Sequence, residues 1–164
     1  MLYKYNYCLT KINNRLKIYF GEPGTGKTTK ALEETNLCIV CNNSMIPSDL
    51  MENFKFDDGK PGFEKSDLWL AMEQGKKIVF DEINLLPFDS LRFLQSLLDN
   101  KQKINYKGIE INIKDGFEII GTMNLELGNT IYTLPEPLVD RCSNIIEFKL
   151  NINDLIKYSY NDLD

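Results

Sequence analysis

The feature that most restricts how this chain can fold is a glycine-rich loop between a mostly apolar run and a helix-forming run. The apolar run, 16–20, leads directly into Gly21-Glu22-Pro23-Gly24-Thr25-Gly26-Lys27-Thr28. Gly21 and Gly26 bracket four residues, and a lysine and a threonine follow at once, which is the spacing of a phosphate-binding loop. A strand entering and a helix leaving such a loop favour an α/β domain.

The residue types of this loop explain its spacing. Glycines allow the backbone to curl so that several N–H groups point at one phosphate, and the following helix adds the positive end of its dipole. Lys27 is predicted to reach the β- and γ-phosphates, and the Thr28 hydroxyl to bind Mg²⁺. The predicted nucleotide contacts are Gly21, Glu22, Pro23, Gly24, Thr25, Gly26, Lys27, Thr28 and Thr29. The chain has no Asn-Lys-x-Asp sequence of the kind that reads guanine, so ATP is the expected nucleotide.

Further apolar runs alternate with predicted helices along the chain. These runs are 37–40, 78–80, 117–120 and 145–148, and their nearly continuous apolar composition is typical of parallel strands covered on both faces. Helices are predicted at 28–34, 66–75, 91–98 and 151–160, and a hairpin at 103–113. With 164 residues, the chain is predicted to form one domain over 1–164.

Polar residues follow two of the predicted strands. Asp81 and Glu82 come directly after the run 78–80, and Asn124 comes shortly after 117–120. Because ligands of open α/β sheets bind at the carboxyl ends of the strands, Asp81 is assigned to Mg²⁺ and Glu82 to activation of the attacking water. The Asn124 amide could bind both the γ-phosphate and that water. Solvated loop acids and a turn asparagine are the alternatives.

Arginine is rare in this chain: only Arg15, Arg92 and Arg141 occur among its 19 basic residues. Arg141 follows a short segment that opens with proline and is predicted to be helical. Its guanidinium could reach the γ-phosphate of a neighbouring subunit, or it could form an internal salt bridge to an acid such as Asp140. The residues alone leave both open.

The pair Cys38-x-x-Cys41 has the spacing of a metal or redox site. No second pair follows and the chain has no histidine, so a zinc site would also need Cys8 and Cys142. We predict instead that both cysteines are small apolar residues of a buried strand.

Four segments, in this order, resemble the AAA+ ATPases and in particular the branch with MoxR, CbbQ-type, McrB and dynein-like modules. The similarity covers roughly residues 17–148. Besides the phosphate loop, Asp58-Gly59 with Phe63 and 68–75 resembles the run before the second Walker motif, and Asp81-Glu82-Ile83-Asn84 resembles that motif itself. The first sensor is resembled by Gly121-Thr122-Met123-Asn124. The arginine-finger segment is resembled by Leu134-Pro135-Glu136-Pro137-Leu138-Val139-Asp140-Arg141.

The resemblance implies a three-layer core with a five-stranded parallel sheet of order 5-1-4-3-2 and a β-hairpin inserted before the sensor strand. It implies ATP and Mg²⁺ as cofactors, and a homo-oligomeric ring, often a hexamer, with active sites at subunit interfaces. Glu82, Asn124 and a trans-acting Arg141 would be catalytic, and Thr28 and Asp81 would bind the metal. Two features depart from the pattern: Cys142 replaces the usual phenylalanine, and the helical lid with the second sensor is expected to be absent or truncated.

The leading hypothesis is therefore an oligomeric ATPase that remodels or regulates a protein or nucleic-acid partner. A nucleotide-gated binding module with little turnover and a GTP-using, McrB-like subunit are the alternatives; a small P-loop kinase is disfavoured because arginine is scarce. The formal charge of −5 argues against nucleic-acid binding through overall basicity. With no apolar run of membrane-spanning length and no signal peptide, a cytoplasmic location without a membrane is expected.

Overall fold

The computed structural model describes residues 15–99, 101–124 and 134–149, and a five-stranded parallel sheet forms their centre. The predicted helix at 151–160 and Cys8 lie outside these residues. The nine strands of the described chain are β1 (Leu16–Gly21), β2 (Cys38–Val40), β3 (Glu52–Asp57), β4 (Lys60–Lys65), β5 (Lys77–Asp81), β6 (Lys103–Tyr106), β7 (Ile109–Asn112), β8 (Glu118–Asn124) and β9 (Cys142–Phe148). The helices are α1 (Lys27–Leu32), α2 (Pro47–Met51), α3 (Asp67–Gln74), α4 (Phe88–Leu98) and α5 (Glu136–Val139), with a 3₁₀ turn at Ile83–Leu85.

The central sheet has the strand order β2-β5-β8-β1-β9, and its neighbouring strands pair in parallel. Numbered among themselves in chain order, these five strands run 5-1-4-3-2 from the β9 edge. The α/β class with a five-stranded parallel sheet is thus confirmed. The remaining four strands form two separate antiparallel hairpins.

Alternate residues of the strands bury their side chains on opposite faces of the sheet, as the period of two requires. Ile78 and Phe80 of β5 join a core cluster that includes side chains from α2, α3 and α4. Val79, between them, joins a cluster on the other face with Ala31 of α1. Helices therefore cover both faces, which explains why the predicted strands are so continuously apolar.

Helix α3 begins and ends where its sequence predicts. The Ser66 side chain accepts a hydrogen bond from the Trp69 amide at 3.2 Å, which satisfies one of the unpaired N–H groups of the first turn. Gly75 ends the helix in a left-handed conformation with φ 67°. A Cβ there would lie 2.3 Å from the Asp115 carbonyl oxygen, so the sequence needs glycine for packing as well as for backbone conformation.

One of the two hairpins was predicted and the other was not. Strands β6 and β7 turn at Lys107-Gly108, as expected. Strands β3 and β4 turn at Asp58-Gly59, where both residues have positive φ, of 50° and 75°. An Asp-Gly turn is a strong hairpin signal, and the residues after it, 60–63, lie in strand β4.

The cysteines behave as small apolar residues in the described chain. Cys38 opens β2, Cys41 follows that strand in the buried core, and burial raises the pKa of the Cys41 thiol. Cys142 starts β9, at the opposite edge of the sheet from β2, about 19 Å away across four strand spacings. Within the described ranges, no group of three or more metal-binding side chains converges. No described helix is long and apolar enough to cross a membrane.

Candidate active site

Three neighbouring strands end at one edge of the sheet with residues predicted to act on a nucleotide. Gly21 is the last residue of β1, Asp81 of β5 and Asn124 of β8, and β8 lies between the other two strands. Because these strands are parallel, their carboxyl ends meet at the edge of the sheet where ligands of such folds bind.

The loop 22–26 has the curled geometry expected of a phosphate loop. Gly24 and Gly26 have φ of 79° and 83°, a left-handed conformation that glycine adopts without steric cost. The Thr25 hydroxyl donates to the Glu22 carbonyl oxygen at 2.9 Å and closes the turn. Glu22, Pro23 and both glycines are exposed to solvent, so the loop is open to a ligand.

Strand β1 lies close against the β9 backbone at Gly21. Its φ is 150°, and a Cβ there would lie 2.1 Å from the Phe148 carbonyl oxygen. No side chain fits at that distance, so any substitution would displace the β9 backbone. The first glycine of the motif is therefore required by packing between strands, in addition to its place in the loop.

Gly21→Ala is expected to lower the free energy of unfolding by about 3 kcal/mol, because overpacking adds to backbone strain. Gly24→Ala is the matched control: its φ is also positive, but nothing lies within 4 Å of the added Cβ, so about 1 kcal/mol is expected. Urea denaturation without nucleotide measures both. Equal losses would show that the contact with Phe148 does not set the cost.

The Lys27 side chain is folded over the loop and is only 5% exposed. Its Nζ donates to the carbonyl oxygens of Gly21 at 3.1 Å and Glu22 at 2.7 Å, and to the Thr25 hydroxyl at 3.3 Å. Burial lowers the pKa of Lys27, while the carboxylates of Asp81 and Glu82 oppose that shift. A phosphate entering the loop would replace neutral acceptors of this ammonium with charged ones, which make stronger hydrogen bonds.

Thr28 and Asp81, the two predicted metal ligands, are in direct contact. The hydroxyl groups of Thr28 and Thr122 each donate to Asp81 Oδ1 at 2.6 Å. A hydroxyl and a carboxylate oxygen in contact form the hard oxygen donor set that Mg²⁺ prefers, so these residues fit the metal that the fold implies.

Thr122 is a site residue that the sequence analysis did not single out. Its hydroxyl donates to Asp81 and accepts from the backbone N–H of Glu82 at 3.0 Å, so it links the two acids. Thr122 lies two residues before Asn124 in β8, and alternate residues of a strand face the same side. That spacing from Asn124 is the sequence feature from which Thr122 could have been predicted as a site residue.

Glu82 and Asn124, the two predicted catalytic residues of this edge, are joined by a hydrogen bond. Asn124 Nδ2 donates to Glu82 Oε1 at 2.7 Å. Glu82 has φ 58° and ψ 45°, a left-handed conformation that is uncommon and costly for a residue with a side chain. Strained residues persist where their surroundings hold them and cluster at functional sites.

Arg141 is engaged elsewhere in the described chain. Its Nε and Nη2 donate to Asp99 Oδ1 at 2.6 and 2.5 Å, and its Nη1 donates to the Pro137 carbonyl oxygen at 2.5 Å. The internal salt bridge considered for this arginine is therefore present, but its partner is Asp99 at the end of α4 and not Asp140.

Comparisons with known proteins agree with this geometry. The family model for the AAA domain (dynein-related subfamily) matches residues 18–142. Midasin from Giardia intestinalis is 28% identical over an alignment of 137 residues that covers 76% of this chain but only 3% of midasin. The crystal structure of a candidate ATPase from Cytophaga hutchinsonii superposes with a TM-score of 0.65 at 20% identity, over 88% of this chain and 45% of that one. Since the family model spans most of the chain and the site residues lie together, the chain belongs to the dynein-related subfamily of AAA domains.

Proposed function

We propose that this chain binds Mg²⁺-ATP at the loop 21–28 and hydrolyses it in an oligomer that remodels or regulates a protein or nucleic-acid partner. One observation carries the proposal: Asp81 contacts Thr28 at 2.6 Å while the adjacent Glu82 contacts Asn124 at 2.7 Å. A metal-binding pair thus lies beside a pair suited to orient water. Family membership supports ATP-driven chemistry at a coarser level.

Each residue has a separate role in the proposed mechanism. The curled loop and Lys27 bind the phosphates, and Thr28 and Asp81 hold the metal ion. Mg²⁺ supplies neutralisation of phosphate charge when bound. Glu82 accepts a proton from the attacking water. Asn124 holds that carboxylate through one N–H group, and its second N–H group can contact the γ-phosphate.

Arg141 completes the proposed site from a neighbouring subunit. Its side chain is 28% exposed, and a guanidinium has five N–H donors, so the contacts with Asp99 and Pro137 leave it further donors. Positive charge placed at the γ-phosphate would stabilise the charge of the transition state.

Arg141→Ala is expected to lower ATP turnover roughly 100-fold while leaving ATP affinity nearly unchanged, because the arginine acts mainly on the transition state. Wild-type specific activity should rise with protein concentration, and this rise should vanish in the variant. Arg92→Ala is the matched control, since Arg92 is exposed on α4 and stacks on the Phe88 ring at 5.6 Å. Turnover like that of the wild type in Arg141→Ala would refute the trans-acting role.

A nucleotide-gated binding module with little turnover is the second candidate. The pairing of Arg141 with Asp99 favours it, because the arginine is already engaged within one chain. Tight Mg²⁺-ATP binding without measurable turnover, at any protein concentration, would identify this case. Competition between ATP and GTP in the same binding assay would test the GTP-using alternative.

The β3–β4 hairpin supports contact with a macromolecular partner. Phe54, Phe56 and Phe63 are 58%, 66% and 67% exposed, and the Phe54 ring lies 5.0 Å from the Phe56 ring and 5.7 Å from the Phe63 ring. An exposed aromatic cluster of this kind typically marks an interaction surface. We propose that the partner contacts these rings.

A further inference from the structure

A cluster of charged residues lies at the end of the sheet opposite the candidate active site. Its centre is Glu34, two residues beyond α1. The Glu34 carboxylate accepts hydrogen bonds from Lys17 Nζ at 3.1 Å, the Tyr19 hydroxyl at 2.7 Å and Lys77 Nζ at 2.5 Å. Its side chain is 22% exposed, so solvent screens these contacts only in part.

The same three strands that end at the active site begin at this cluster. Lys77 is the first residue of β5, Glu118 is the first of β8, and Lys17 is the second of β1. Glu118 lies 3.2 Å from Lys77 and 4.0 Å from Lys17, and so joins the three strands through alternating charges. The segment after Glu34 is also fixed to β5, because the Thr35 hydroxyl donates to the Lys77 carbonyl oxygen at 2.8 Å.

Strand β5 therefore holds α1 at both ends. Thr28, in the first turn of α1, donates to Asp81, the last residue of β5, and Glu34, beyond the other end, binds Lys77, the first residue of β5. The helix has only six residues, about 9 Å in length, and so short a helix has little stability of its own. Its placement must come from contacts such as these.

We infer that Glu34 is a positioning residue of the nucleotide site: by anchoring the far end of α1, it sets where Lys27 and Thr28 stand relative to Asp81. The inference rests on the proposed nucleotide binding. A shift of about 1 Å in such groups is enough to change binding and catalysis substantially. Glu34 itself touches neither phosphate nor metal in this proposal.

The charges of the anchor are constant over the working pH range. Burial acts to raise the pKa of Glu34, but the hydrogen bonds from Lys77, Tyr19 and Lys17 outweigh it and hold the pKa at about 2. Burial and the bond to Glu34 raise the pKa of Tyr19 to about 12. Near neutral pH the carboxylate is ionised and the phenol is a donor, so the contacts persist.

Glu34→Gln is expected to raise the Kd for Mg²⁺-ATP roughly tenfold and to raise the Mg²⁺ concentration that half-saturates ATP binding. Both are measured by titration calorimetry, at a temperature where the variant is folded. Glu33→Gln is the matched control, because Glu33 is the neighbouring residue, 58% exposed, and pairs with Lys30. Its Kd and Mg²⁺ dependence should match the wild type.

Two further variants distinguish an effect on the position of α1 from a general loss of protein stability. Tyr19→Phe removes one donor to Glu34 but keeps the ring, which packs 5.0 Å from the Phe148 ring, so a smaller rise in Kd is expected. Ile111→Val destabilises the core at β7 without touching α1, and its Kd should stay unchanged. If Glu34→Gln and Tyr19→Phe both keep the wild-type Kd and Mg²⁺ dependence, the positioning role of Glu34 is refuted while the proposed function is not. Wild-type protein that binds no Mg²⁺-ATP would contradict the proposed function itself.

Discussion

Lys27→Ala is expected to raise the Kd for Mg²⁺-ATP roughly 1000-fold, which corresponds to about 4 kcal/mol and leaves no measurable binding at ordinary concentrations. The Lys27 ammonium is buried at the loop and is held by the carbonyl oxygens of Gly21 and Glu22 at 3.1 and 2.7 Å. In the complex it would bind two phosphates, so its removal costs charge-assisted hydrogen bonds where solvent replaces them poorly. Titration calorimetry with Mg²⁺-ATP measures the change.

Lys30→Ala provides the control for this variant. Lys30 lies one turn further along α1, is 55% exposed and pairs with Glu33, so its removal should change the Kd less than twofold. Far-UV circular dichroism should show both variants folded. A Kd for Lys27→Ala within threefold of the wild type would place the phosphates somewhere other than this loop.

The features that the sequence predicted best are those that depend on residues close to one another in the sequence. A glycine loop, a strand before it and a helix after it are local, and so are the Ser66 cap and the Gly75 stop of α3. The parallel sheet followed from the apolar runs, because strands covered on both faces need continuous apolar sequence. The Asp58-Gly59 hairpin was equally local, and it was missed although its turn signal was present.

Contacts between distant residues were not predictable in the same way. The Thr122–Asp81 bond joins residues 41 positions apart, and the Arg141–Asp99 bond joins residues 42 apart. Asp140 lies next to Arg141 in sequence, but Asp99 is its partner because of how α4 and α5 pack. Sequence spacing indicates which residues share an edge of the sheet, whereas the packing of side chains decides which of them hydrogen-bond.

The strained backbone of Glu82 also has a cause that only the structure shows. Its φ of 58° turns the chain from β5 into the 3₁₀ turn at Ile83–Leu85, and the Thr122 hydroxyl holds its N–H at 3.0 Å. Thr122 thereby positions both acids at once: Asp81 through its carboxylate and Glu82 through its backbone. The arrangement links Asp81, the proposed metal ligand, to Glu82, the residue proposed to activate water.

Glu82→Gln is expected to retain ATP binding and to lower ATP turnover roughly 1000-fold, because an amide cannot accept the proton of the attacking water. The glutamine oxygen can still accept the hydrogen bond from Asn124 that Glu82 Oε1 accepts now at 2.7 Å, so the side chain at position 82 should keep its place beside Asn124. Calorimetry measures binding, and phosphate release measures turnover.

Glu110→Gln, on the exposed face of the β6–β7 hairpin, provides a control carboxylate outside the site, with turnover expected within twofold of the wild type. Normal turnover in Glu82→Gln would refute the assignment of the water-activating group. If the wild type binds Mg²⁺-ATP tightly without turnover, the gated-module candidate is supported, and the Glu82 variant should then be indistinguishable from it. Loss of turnover in both Glu82→Gln and Arg141→Ala, with binding intact, is the result expected when the proton acceptor of one chain and the arginine of another act on the same phosphate.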